Sequence, residues 1–346
     1  MAKCGWKESG DVTFRWSGRG CARAPRGQTW RPIPLIVALL AAAPLPAQEP
    51  TIRVNVNLVH LIATVKNQQG QLVGSLKKED FQISDNGVPQ EVAFFGRQTD
   101  QPLSVALLVD TSGSTAKDLK YETDSAARFL RALLAEGNPE DRAALYTFNY
   151  DIQGGTYTHD YSALERRLKT LHGEAGTSLY DAIFFASHDL EGREGRKALV
   201  VVTDGGDTTS YRDLKQALKQ AQMADAVLYA IVVLPITNDA GRNTGGEHAL
   251  EFMAEGTGGR TFYPAVSAEL DATFADIISE LRTQYVLGFY PRQVPPTKDP
   301  FHRLDVRVKS PDLRVSARNG YYGDSTGSGD PDAQISVRPD RTAKKH

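Results

Sequence analysis

The sequence predicts an α/β fold, with helices covering both faces of a mainly parallel sheet and a smaller all-β module formed by its two flanks. Uninterrupted apolar runs, such as ALVVVT at 198–203 and AVLYAIVVL at 226–234, indicate strands buried on both faces. Helical apolar patterns separate these runs, an order typical of a parallel sheet covered on each side. In the two flanks, 51–98 and 284–322, apolar and polar residues alternate as in half-buried strands.

The central segment, 102–283, is predicted to alternate between strands and helices. The helix near residue 211 is expected to begin at SYRD, with Ser210 as its N-cap and an acidic residue at the third position. The predicted strands are 103–109, 142–148, 197–203, 226–234 and 260–263. The predicted helices are 115–135, 161–170, 179–190, 211–223, 246–254 and 267–282.

The two flanks, 51–98 and 284–322, are each predicted to be β-structured. The first has a hairpin turn at DNGVP, and the second has alternating apolar residues in HRLDVRVKS. Each flank is short for an independent core, so we expect them to pack together into one module; two separate appendages are the alternative. The segment 323–346 is rich in Gly, Ser and Asp and is predicted to be disordered.

The N-terminal segment, 1–47, is predicted to be a signal peptide or leader. It holds seven Lys/Arg and two acidic residues, and its apolar run at 33–43 is shorter than the roughly 20 residues of a membrane span. We therefore expect a secreted, periplasmic or cell-envelope protein without a membrane span in the mature chain. An uncleaved anchor or a translation start further downstream is the alternative explanation of the long basic stretch.

Charge and cysteine content exclude several function classes. The chain beyond residue 47 has 33 basic and 40 acidic residues, which argues against nonspecific nucleic-acid binding. Both cysteines, Cys4 and Cys21, lie in the leader, so the predicted mature chain has no disulfide, thiolate metal site or cysteine nucleophile.

Polar side chains gather where the predicted strands end. DTSGS at 110–114 follows the first buried strand, TDGGD at 203–207 follows another, and a Gly-rich loop at 173–178 precedes a helix. Ligands of open α/β sheets bind outside the carboxyl ends of the strands, so we expect these loops to converge there. The candidate ligands are Asp110, Ser112, Ser114, Thr177 and Asp204.

Two carboxylates and three hydroxyls form a donor set of hard oxygens. Such donors suit Mg²⁺, Mn²⁺ or Ca²⁺ rather than zinc or copper. Two carboxylates balance a dication, and neutral hydroxyls occupy further positions without lowering its affinity for another anion. The set therefore predicts a metal site that leaves one position open to an incoming carboxylate. Taken singly, the hydroxyl residues could instead be helix N-caps, and Asp204 could be a turn residue.

The three loops resemble those of the metal-ion-dependent adhesion site of von Willebrand factor type A domains. DTSGS, GTSLYDA and TDGGD occur in that order within residues 102–283, and the resemblance matches all five candidate ligands. The flanking segments DFQISDNGVPQEVAFF and YVLGFYP resemble a family of secreted bacterial proteins related to these domains. The resemblance implies a Rossmann-like three-layer fold whose sheet has one antiparallel edge strand.

The expected function is that of an exported, divalent-cation-dependent adhesion or protein-binding module, whose partner presents an Asp or Glu carboxylate. We expect no enzymatic activity, because an aspartate-based phosphatase needs an acid two positions after the first aspartate, and Ser112 stands there. The serine motif has the wrong spacing for a hydrolase, and there is no P-loop. A metal-independent assembly or regulatory subunit of the envelope and a Mg-dependent hydrolase are the alternatives.

Overall fold

The computed structural model describes residues 58–97, 101–113, 119–173, 175–233, 243–264, 267–295 and 298–323. The predicted leader, the predicted tail beyond residue 323 and the predicted helix start at 115–118 lie outside these ranges. The strands are β1 (Val59–Lys66), β2 (Phe81–Asp85), β3 (Val88–Gln90), β4 (Val92–Arg97), β5 (Leu103–Asp110), β6 (Arg142–Phe148), β7 (Ile152–Gly154), β8 (Arg196–Thr203), β9 (Ala226–Val232), β10 (Arg260–Phe262), β11 (Tyr285–Phe289), β12 (Phe301–Val308), β13 (Arg314–Ala317) and β14 (Gly320–Tyr322). The helices are α1 (Leu119–Ala135), α2 (Tyr161–Leu168), α3 (Leu179–Glu191), α4 (Leu214–Met223), α5 (Thr244–Thr257) and α6 (Ser267–Thr283).

A six-stranded sheet forms the centre of the α/β domain, in the order β10-β9-β8-β5-β6-β7. Its first five strands are parallel, and β7 pairs antiparallel with β6 at one edge. β5 lies between β8 and β6, with Val109 opposite Val202. The carboxyl ends of β5 and β8 are therefore neighbours, which places the residues that follow them at one edge of the sheet.

Helices cover both faces of this sheet, as the fold prediction requires. Side chains of β5 alternate between two apolar cores: Val105 and Leu107 pack with α1, α2 and α6, whereas Ala106 and Leu108 pack with α3, α4 and α5. All eight residues of β5 are buried because each face has its own helical layer. This burial explains why the strand is apolar without alternation.

The flanks of the α/β domain form two four-stranded antiparallel sheets, in the orders β13-β1-β11-β4 and β14-β12-β2-β3. Each sheet contains strands from before and after the α/β domain; Val59 pairs with Phe289, and Ile83 pairs with Val306. Apolar side chains of both sheets form one buried cluster that includes Leu61. The pairing partners lie more than 200 residues apart, one in each flank. Neither flank therefore buries these side chains by itself.

The structure corrects the expected start of α4. The helix begins at Leu214, not near residue 211, and its N-cap is Asp213 rather than Ser210. The Asp213 side chain accepts from the backbone N–H of Gln216, whose side chain in turn accepts from the backbone N–H of Asp213. Ser210 instead accepts from the backbone N–H of Asp181 and donates its hydroxyl to the Asp207 carboxylate. Among the described helices, none is both long and apolar enough to cross a membrane.

Candidate functional site

The first candidate loop begins at Asp110, the last residue of β5. Its carboxylate is fully buried and accepts hydrogen bonds from the Thr203 hydroxyl at 2.6 Å and from the backbone N–H of Ser112 at 2.8 Å. The Ser112 bond closes the turn by which the chain leaves the strand. The Thr203 bond joins the ends of β5 and β8. Asp110 is thus held rigidly at the carboxyl edge of the sheet.

The Asp110 carboxyl is in an environment that disfavours its negative charge. Burial raises the pKa of this group to about 6, and the nearby charge of Asp204 acts in the same direction. Hydrogen bonds from Thr203 and Ser112 oppose the rise without cancelling it. The first and third candidate loops therefore place two acidic side chains close enough to repel each other. A cation between them would remove the repulsion.

The third candidate loop, after β8, is shaped by glycine. Gly205 has a φ of +92°, a conformation that L side chains rarely adopt, and its N–H donates to the Thr203 hydroxyl at 3.1 Å. Its carbonyl approaches Gly246 in the first turn of α5 so closely that a Cβ at Gly246 would collide with it. The N–H of Gly206 donates to the Asp204 side chain at 3.3 Å. Glycine at these positions lets the loop fold against α5 while holding Asp204.

The second candidate loop carries Thr177, which is buried. Its backbone N–H donates to the Thr208 hydroxyl at 3.0 Å, and its carbonyl accepts from the N–H groups of Thr208 and Thr209 at 2.9 and 3.1 Å. These three bonds tie the second loop directly to the third. Two loops that are far apart in sequence are consequently fixed side by side.

A fourth loop, after β6, links the first loop to the second, although no motif in the sequence marks it. Asn149 donates from its side chain to the Thr111 hydroxyl at 3.3 Å, and its carbonyl accepts from the N–H of Ser178 at 2.7 Å. The only sequence signal was its position directly after a buried strand. Without the strand order, nothing distinguished Asn149 from an ordinary turn residue.

Two aspartates outside the five candidate ligands, Asp181 and Asp207, hold the second and third candidate loops together. Asp181 is buried and accepts from the backbone N–H groups of Tyr211 and Arg212 at 2.9 and 3.1 Å, and from the Arg212 guanidinium at 3.1 Å. Asp207 accepts from the backbone N–H of Tyr180 at 3.2 Å. Both clamp the third loop to the start of α3.

The structure places four of the five candidate ligands at the carboxyl edge of the sheet: Asp110, Ser112, Thr177 and Asp204. Ser114 lies outside the described residues. The described residues contain no cluster of three or more His, Cys, Asp or Glu side chains suited to a metal. A donor set of two carboxylates and several hydroxyls would not form such a cluster, so this finding leaves the predicted set intact.

The parallel sheet and its two helical layers define an α/β domain of the dinucleotide-fold type, with polar loops at the carboxyl edge of the sheet. Residues 104–276 match the family model of the von Willebrand factor type A domain, which is half of the chain, and the chain belongs to that family.

Several solved structures have a similar fold at low sequence identity. The conserved hypothetical protein BatB from Bacteroides thetaiotaomicron is 19% identical, with 51% of this chain and 98% of that chain covered and a TM-score of 0.41. The vWF domain of the type V pili tip protein Mfa5 from Porphyromonas gingivalis is 14% identical, covering 57% and 99%, with a TM-score of 0.43. A von Willebrand factor type A protein from Catenulispora acidiphila is 11% identical, covering 80% and 76%, with a TM-score of 0.45. No curated protein matches the chain.

Proposed function

We propose that this protein is a divalent-cation-dependent adhesion or protein-binding module whose partner presents an Asp or Glu carboxylate. The observation that carries the proposal is the pair of acidic side chains at the carboxyl edge of the sheet. Asp110 is fully buried there, and the charge of Asp204 raises its pKa further. This arrangement does not stabilise the folded protein, because ionising a buried carboxyl beside another carboxyl is unfavourable.

The proposed ligands are Asp110, Ser112, Ser114, Thr177 and Asp204. Their oxygens are the donors that Mg²⁺, Mn²⁺ and Ca²⁺ prefer, so the residues present fit such an ion. When bound, the cation supplies a coordination position that an acidic side chain of the partner can occupy. The protein's own residues hold the carboxylates and hydroxyls in place. One carboxylate contact cannot provide specificity, so the surrounding loops must contact the partner as well.

The proposed location is outside the cytoplasm, in the cell envelope or the medium. Support comes from the sequence of residues 1–47, which has the basic and apolar parts of a signal peptide. A hydrolase is disfavoured by Ser112, which stands where a phosphatase of this geometry needs an acid. A metal-independent envelope subunit is disfavoured because the buried Asp110 carboxyl, with Asp204 nearby, ionises unfavourably when no cation is bound.

The decisive experiment measures cation binding and partner capture together. Calorimetric titration with MnCl₂ and MgCl₂ compares the wild type with Asp110→Ala and with Asp124→Asn, an exposed aspartate on α1 that serves as a control. We expect one cation per chain for the wild type and the control, and none for Asp110→Ala. A pull-down from envelope extract, in Mg²⁺ and in chelator, should then recover a partner only with Mg²⁺ and an intact Asp110. Unchanged cation binding in Asp110→Ala would refute the proposed site.

A further inference from the structure

A second candidate site is a cavity of about 390 Å³ at the opposite end of the central sheet. It lies at the amino ends of β5, β8 and β9, where the α/β domain meets β1 and β11 of the flanking sheets. An eight-residue strand such as β5 is about 25 Å long, so this junction cavity is well separated from the candidate metal site. Its volume is in the range of small-molecule sites and too small for a folded partner.

The junction cavity is lined by four cationic side chains and two carboxylates. Arg318 is paired with Asp225, and the second carboxylate, Glu194, is exposed. The remaining cations are Arg193, Arg196 and Lys197, and none of them has an ion pair with any residue that the structure describes.

These three cations instead donate to neutral oxygens. Arg193 bonds the Ser104 hydroxyl at 2.7 Å, and Lys197 bonds the carbonyl of Glu191 at 3.0 Å. Arg196, which is only 5% exposed, donates to the backbone carbonyls of Leu281 and Gln101. Burial lowers the pKa of both Arg196 and Lys197, and the charges of Asp141 near Arg196 and of Asp225 and Glu191 near Lys197 oppose this fall without cancelling it. An anion in the cavity would offset this unfavourable electrostatic environment.

The same cavity has an apolar wall. Ile62 of β1, Val227 of β9 and Val286 of β11 contribute to it, and Pro102 lies beside the basic cluster. A purely inorganic ion would leave this wall in contact with water. A ligand that joins an anionic head to an apolar body would satisfy both parts of the lining.

We infer that the junction cavity binds a small organic anion, whose carboxylate or phosphate head lies near Arg196 and Lys197 and whose apolar body packs against Ile62, Val227 and Val286. Such a ligand would contact both the α/β domain and the flanking sheets. Binding at this site does not require the proposed metal, because none of its lining residues belongs to the candidate metal loops.

The test uses the fluorescent organic anion 8-anilinonaphthalene-1-sulfonate, titrated into the full chain in the presence of EDTA. EDTA removes divalent cations, so the outcome is independent of the metal proposal. We expect one saturable site per chain and much weaker binding of the uncharged analogue N-phenyl-1-naphthylamine. Benzoate and phenyl phosphate, added at millimolar concentration, should displace the probe, and the stronger competitor identifies the preferred head group.

Three variants make the test specific. Lys197→Met keeps the aliphatic stem of a half-buried side chain and should weaken probe binding at least about fivefold, because one close charge is lost. Ile62→Trp fills the cavity without changing its charge and should abolish binding. Lys215→Met makes the same change in charge at an exposed position outside the cavity and should have no effect. Circular dichroism establishes that each variant is folded.

Three results would overturn the inference. One is equal probe affinity in the wild type and in folded Lys197→Met. Another is equal affinity for the charged probe and its uncharged analogue. The third is displacement by neither benzoate nor phenyl phosphate. Each would mean that the basic cluster does not select an anion.

Discussion

Replacing Asp110 with asparagine should stabilise the protein at neutral pH when divalent cations are absent. The carboxyl has a pKa of about 6 in the folded state, against 3.8 for the unperturbed group. A difference of about two pKa units corresponds to about 3 kcal/mol of unfavourable free energy when the folded protein must ionise this group. Asparagine has no charge to ionise, so the variant avoids this cost.

The sign and the pH window follow from proton binding. Between pH 3.8 and about 6, the folded state holds the Asp110 proton and the unfolded state has released it. The wild type therefore loses stability as pH rises through this window, and the full loss is present above it. Asp110→Asn also weakens the hydrogen bond with Thr203, at a cost of about 1 kcal/mol. The net expectation is a variant about 2 kcal/mol more stable at neutral pH and slightly less stable below pH of about 4.

Urea denaturation followed by circular dichroism, in EDTA, measures this difference at several pH values. The difference between the unfolding free energies of the variant and the wild type reports the titration of Asp110 alone, because all other titrating groups are common to both proteins. Adding Mg²⁺ should reverse the order, because a ligand at 100 times its dissociation constant stabilises the wild type by about 2.7 kcal/mol and the variant lacks the site. A difference that stays constant with pH, or a variant that Mg²⁺ stabilises as much as the wild type, would refute this reasoning.

Three further substitutions test the parts that support the site. Gly246→Ala introduces a Cβ that collides with the carbonyl of Gly205. It should lower the unfolding free energy measured in urea by about 2 kcal/mol and weaken Mn²⁺ binding measured by calorimetry. Unaltered Mn²⁺ affinity would contradict the role of this contact. Asp181→Ala removes the acceptor of two backbone N–H groups and of the Arg212 guanidinium, and should cost about 3 kcal/mol; a loss below about 1 kcal/mol would mean that the third loop is held otherwise. Glu280→Gln on α6 leaves two basic side chains without their shared buried carboxylate and should lower stability by about 2 kcal/mol, without changing Mn²⁺ affinity.

The elements of the α/β domain were predictable because their signals are local. The apolar runs of β5 and β8 lack alternation since both faces are covered, and the structure confirms the parallel sheet with helices on each side. The family resemblance implied an antiparallel edge strand, but the sequence did not locate β7, because its three residues, all at least partly exposed, have no hydrophobic pattern. The start of α4 was misplaced because two capping sequences overlap within four residues, and only the side-chain geometry distinguishes them.

The candidate ligands were also a local prediction, since Asp110 and Asp204 follow buried strands whose carboxyl ends must meet at one edge of a parallel sheet. Their supporting residues were not predictable. Asn149 and Asp181 act through hydrogen bonds to loops that are about 30 residues or more away in sequence. The sequence around a polar loop residue does not indicate which distant residue it will hydrogen-bond.

By itself, the amino-acid sequence determined where strands and helices form in the α/β domain and which oxygen-bearing side chains follow its strands, because periodicity and strand ends are properties of neighbouring residues. Only the tertiary structure decided which strands of the two flanks pair, how deeply Asp110 is buried, and that three cations without an ion pair among the described residues line a cavity at the other end of the sheet. These features depend on contacts between residues far apart in the chain. Hydrophobic patterning specifies that a side chain is buried, whereas the surrounding charges and hydrogen-bond partners are set by packing.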